Sequence, residues 1–91
     1  MKKLTVNFYS DPGHGWAKVS VDALKKLGIA DQVSSYSYYR NGNAFLEEDC
    51  DFSLLVKACK DNDVALSVKE HTSNKSSKIR SYMYYSKRKV M

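Results

Sequence analysis

The chain has 91 residues, 43% of them hydrophobic and 12% aromatic, with a formal net charge of +5. That apolar share suits one small folded domain, residues 1–91, and excludes a disordered chain. No apolar run approaches the roughly 20 residues that cross a bilayer, and the start turns polar at Asn7, so neither a membrane partner nor a signal peptide is expected and the reading is cytoplasmic.

Leu4, Val6 and Phe8 alternate with Thr5, Asn7 and Tyr9, the period of two of a half-buried strand. Ser10-Asp11-Pro12-Gly13 ends it with turn residues. His14, Gly15 and Trp16 then lead into a short helix over 21–27. Ser20 supplies its N-cap, and Val19 staples onto Leu24. Gly28 takes the left-handed position at its end, with Ile29 folding back on Leu24.

The stretch SSYSYYRNGNAFLEE (residues 34–48) predicts a β-hairpin. Asn41-Gly42 accepts the two positive-φ positions of a type I′ turn, and pairing outward sets Arg40 opposite Asn43, Tyr39 opposite Ala44 and Tyr38 opposite Phe45. A helix follows, capped by Asp51 or Asp49, with Phe52, Leu55, Val56 and Cys59 on one apolar face. Asn62 or Asp63 closes it. Val64, Leu66 and Val68 alternate as a fourth strand. HTSNKSS (71–77) reads as a polar loop, and 79–85 resumes strand character, pairing back on the fourth strand. The expected fold is α+β and ferredoxin-like: a βαββαβ antiparallel sheet with two helices on one face, an extra C-terminal strand, and a frayed basic tail over 86–91. Cys50 and Cys59, placed in one helix about 13 Å apart, are beyond disulfide reach.

Charge is unevenly distributed. Residues 47–68 carry two lysines against six carboxylates, whereas residues 69–91 carry seven cations against Glu70 alone. The basic stretch Lys75-Ser76-Ser77-Lys78-Ile79-Arg80-Ser81-Tyr82 is therefore the candidate phosphate-binding segment, with Tyr82 and Tyr84 on the face of Arg80; Arg40 of the hairpin is a further nucleic-acid-binding candidate. Lysines there also suit the guarding of an edge strand. Residues 41–48 partly match the RNA-recognition-motif strand at Gly42, Ala44, Phe45 and Leu46, which makes Phe45 a base-stacking candidate or, more simply, a core residue. Tyr36, Tyr38 and Tyr39 with Glu47 and Glu48 form a candidate protein-docking surface.

DPGHGW offers His14 and Trp16 as a ligand loop, or as a turn with Trp16 plugging one end of the core. His14 has only Asp11 and distant His71 as sequence-level partners, so no catalytic residue is assigned. The His, Cys and carboxylate spacings match no metal site, and no cofactor is expected.

DPGHGW, SYSYYRNG, FLEEDCD and HTSNKSSKIRSY together resemble a family of small accessory proteins of tailed phages and prophages. The resemblance runs from about Phe8 to Tyr82. It implies an accessory protein working in the bacterial cytoplasm. The expected function is a non-catalytic module that engages nucleic acid through the basic loop. The alternatives are an inhibitor docking on a host or defence protein, and a small nucleotide-binding protein or enzyme centred on His14.

Overall fold

A computed structural model describes residues 2–90. The chain runs β1 (Lys3–Ser10), β2 (Gly15–Ser20), α1 (Val21–Lys26), β3 (Tyr38–Arg40), β4 (Asn43–Glu47), α2 (Phe52–Asp61) and β5 (Ala65–Thr72). A 3-10 turn (Lys78–Ser81), β6 (Met83–Tyr84) and a last helical turn, α3 (Lys87–Val90), complete it. Six strands form one mixed sheet in the order β5-β1-β2-β4-β3-β6. The fold is thus α+β, but its topology departs from the ferredoxin-like expectation. β1 turns straight into an antiparallel β2, and β5 lies parallel to β1. The expected pairing of 79–85 with the fourth strand also gives way, because β6 pairs with β3.

Local signals explain the elements that sequence predicts well. Ser20 Oγ accepts from Ala23 N–H at 3.1 Å and caps α1. At its other end Ile29 N–H donates to Leu24 O and Gly28 N–H to Lys25 O, with Gly28 at φ +76°, the paired bonds of a Schellman end. The hairpin closes at Asn41 (φ 51°) and Gly42 (φ 81°) in the register expected: Tyr38 with Phe45, Tyr39 with Ala44, Arg40 with Asn43.

Alternation along each strand separates two faces. One carries Val6, Phe8, Ala17, Val19, Ala44 and Leu46, all buried against Leu24, Leu55 and Cys59 of the helices. Each large apolar side chain there contributes about 1.5–3 kcal/mol by leaving water. On α2 the buried face is Leu55, Ala58 and Cys59, while Val56, expected inside, stays 44% exposed. Cys50 falls in the turn before α2 and is exposed.

The opposite face has no helix. Its β2–β4 part is capped by the 3-10 turn, whose Ile79 packs with Trp16 and Phe45. Tyr85 is buried and donates its hydroxyl to Ala30 O. Val90 is also buried, so α3 is anchored through that one side chain, with Lys87, Arg88 and Lys89 exposed, where a frayed tail is expected; Met91 of that tail lies outside the described residues. Among the described residues no helix is long and apolar enough to cross a membrane.

Candidate functional site

The helix-free face is organised by one ion pair between distant parts of the chain. Asp11 Oδ2 accepts from Arg80 Nε at 2.7 Å and Oδ1 from Arg80 Nη2 at 2.9 Å. The same carboxylate accepts from the backbone N–H groups of Gly13, His14 and Ser77. Its side chain is fully covered. The Arg80 guanidinium, then the Ser77 N–H, hold the Asp11 carboxyl well below the usual carboxylate range. Arg80 also stacks 5.4 Å over the Trp16 ring. Asp11 therefore straps the basic C-terminal segment across the sheet. Arg80 is charge-paired within the fold, so its expected phosphate contact has no unpaired cation behind it.

On one side of this strap the surface is cationic. Lys18 and Asn7 are cross-strand partners, as are Asn7 and Lys69. Lys3 lies on the same face two residues before Thr5 and four before Asn7. Two clefts run along the junction of the 3-10 turn and the sheet. The first, about 250 Å³, is walled by Tyr9, Lys18, Lys78 and Tyr82. The second, about 380 Å³, shares Tyr9, Ser77 and Lys78 with it and adds His71 and the hydroxyls of Ser73 and Ser76. Among the described residues no carboxylate lines either cleft. Tyr9 stacks on His71 at 5.0 Å between centroids, and His71 Nε2 bonds Asn7 Oδ1 at 3.0 Å.

The structure thus brings Lys78 and Tyr82 of the expected set together in one groove. It adds Lys18 and Tyr9, which sequence reasoning missed, and places Lys69 on the same sheet face beyond Asn7, outside the lining of either cleft. The signal for Lys18 lies in GWAKVS, where Trp16 and Lys18 alternate with Ala17 and Val19 as a strand requires. Arg40 caps the Tyr82 ring at 4.9 Å. Lys75 stays on the exposed loop, its N–H turned to Ser73 Oγ. Phe45, the stacking candidate, is buried beneath Tyr82 at 5.1 Å between centroids and has no open ring face to offer a base.

On the other side of the strap the chemistry reverses. A cavity of about 320 Å³ opens between the DPGHGW turn and the segment 36–38, with Glu47, Asp49 and Cys50 at one end. Glu47 Oε2 accepts from the N–H groups of Asp49 and Cys50 at 2.8 and 2.9 Å. Oε1 faces His14 Nδ1 at 3.5 Å, an ion pair only when the imidazole is protonated. Trp16 is 2% exposed, and its Nε1 has no hydrogen-bond partner among the described residues.

The expected docking surface is only partly assembled. Tyr36 is 70% exposed and Glu48 is exposed. Tyr38 is half-buried and stacks on Tyr84. Tyr39 packs against the main core because it sits on the helix-covered face. Glu47 is buried by the two N–H groups it accepts from, so neither residue reaches a partner's surface.

For catalysis the groups are poorly matched. Asp11 receives the backbone of His14, not its ring. Glu47, ahead of burial, pushes the Cys50 thiol up, which keeps it protonated and a poor nucleophile. Among the described residues no three His, Cys, Asp or Glu side chains gather to hold a metal ion. Compared with known proteins, the chain matches no family model, no curated protein and no solved structure.

Proposed function

We propose that the protein is a non-catalytic module that binds single-stranded nucleic acid along the groove between Tyr9, Lys18, Lys78 and Tyr82. In this reading it acts in the setting that the resemblance to tailed-phage accessory proteins implies. The observation that carries it is the groove lining: lysines, seryl hydroxyls and two tyrosine rings, with no carboxylate among the described residues. Lysines and hydroxyls serve phosphates, and tyrosine rings accept any base face without regard to sequence.

Fluorescence anisotropy with a 15-nucleotide oligo-dT across a salt series tests it. Phosphate contacts by Lys18, Lys69 and Lys78 give a slope of log affinity on log salt near −2, at roughly −0.7 per contact on a single strand. Lys18→Ala reduces the magnitude by about 0.7. Binding no tighter than that of an unrelated protein of equal charge refutes the reading.

A second reading is docking on a host or defence protein. It is favoured by the exposed apolar group at the β3–β6 edge, where Tyr36, Met83 and Tyr84 are 70%, 55% and 66% exposed. Under it, Tyr84→Ala abolishes capture of a protein partner and leaves oligo-dT affinity unchanged.

A further inference from the structure

We propose that the cavity beside the DPGHGW turn is a base-selective pocket that takes guanine from a bound single strand. The inference rests on the nucleic-acid reading and adds a specificity that the groove lacks. Three features converge on it.

The first is a pair of acceptors at one end. Glu47 Oε2 is used by two backbone N–H groups, which leaves Oε1 with His14 Nδ1 at 3.5 Å, and Asp49 lines the same cavity. The second is an unmet donor. Trp16 is almost wholly buried and lines the cavity, and its indole N–H has no partner among the described residues. A buried polar group without a partner carries a desolvation penalty that a ligand acceptor relieves. Arg80 adds to the donor side, because Asp11 engages Nε and Nη2 but not Nη1. The third is aromatic walling by Tyr36 and Tyr38, which suits a flat ring better than a flexible ligand.

Guanine fits this arrangement chemically. Its Watson–Crick edge sets two adjacent N–H donors beside a carbonyl acceptor, so the donors meet Glu47 and Asp49 while the carbonyl meets the half-exposed Arg80 guanidinium or, after a small turn of the Trp16 ring, the indole N–H. Adenine lacks the carbonyl, and thymine lacks the amine. A volume of about 320 Å³ holds one base with its sugar toward solvent, at the small end of ligand sites. The carboxylates disfavour a phosphate inside the cavity. Arg40, two residues along β3 from Tyr38 on the same face, is placed to meet the attached phosphate outside.

Trp16 is the only tryptophan in the chain, so its emission reports on this cavity. Titration with guanosine monophosphate is expected to change Trp16 fluorescence saturably. Inosine monophosphate, which lacks the exocyclic amine, and adenosine monophosphate are expected to bind about 10-fold more weakly or worse. Tyr36→Ala, at a 70% exposed position that leaves the fold intact, weakens the guanine nucleotide roughly 10-fold through lost stacking. Asp49→Asn weakens it similarly, without changing oligo-dT binding. No saturable change with guanosine monophosphate, or equal responses to all three nucleotides, overturns the pocket. The oligo-dT arm keeps the two readings apart: oligo-dT binding without guanine response removes the pocket alone, and guanine response without oligo-dT binding removes the groove.

Discussion

Replacing Asp51 by alanine probes the device that holds the pocket's Tyr36 wall. Asp51 is 3% exposed and stands at the start of α2, yet its carboxylate does not cap that helix. Instead it accepts from Ser34 N–H and Ser34 Oγ, and from Ser37 Oγ. Ser37, with no exposed surface, in turn accepts from Glu47 N–H through its hydroxyl and from Tyr85 N–H through its carbonyl. Tyr36 is suspended between the two serines, its own N–H on Ser34 Oγ. Asp51→Ala leaves the buried Ser37 hydroxyl without its acceptor, at about 1–3 kcal/mol. The half-buried Ser34 pair recovers part of its loss from water, which leaves a further ~1–2 kcal/mol. The sum, about 2–5 kcal/mol, is a large part of the roughly 5–14 kcal/mol expected for a domain of this length.

Urea unfolding followed by Trp16 emission measures it, with an unchanged slope in denaturant marking a true stability change. Asp51→Asn keeps one carbonyl acceptor and loses about half as much. A loss below about 1 kcal/mol for Asp51→Ala would show that the serines find other partners, and the argument that this carboxylate fixes the 34–37 loop would fall.

Two further outcomes are expected. Gly42→Val places a β-branched residue at φ +81°, where an added Cβ meets nothing within 4 Å, so the cost is backbone strain alone, about 1–2 kcal/mol in urea unfolding. The Asp11 carboxyl is held low by Arg80 and Ser77. A depressed folded pKa means its stabilisation is complete above the unfolded value near 3.9 and declines as pH falls below it. Thermal melts should therefore show Asp11→Asn furthest below wild type at pH 5–7, with the gap closing below pH 4; a gap constant with pH would refute the strap's ionic character.

Turns and caps, which depend on neighbours within a few residues, were legible from the amino-acid order. The hairpin register follows from Asn41-Gly42, and the ends of α1 from Ser20, Gly28 and Ile29, because turns and caps are closed by bonds spanning two to six residues. In β2 two local signals compete: Val19-Ser20 is a good helix start, whereas Trp16 and Lys18 alternate with Ala17 and Val19 as a strand requires. Only the tertiary structure decided which strands pair. β5 lies parallel to β1 across about 60 residues of chain, and β6 chooses β3. No local pattern encodes those choices, since both edges of the sheet offer the same backbone groups. The site depended on the same distant contacts. Arg80 reads as a free cation in a basic run, and becomes the paired centre of the strap because Asp11, 69 residues earlier, reaches it. Lys18 reads as a helix-approach residue, and joins the groove because pairing turns it to the face that no helix covers.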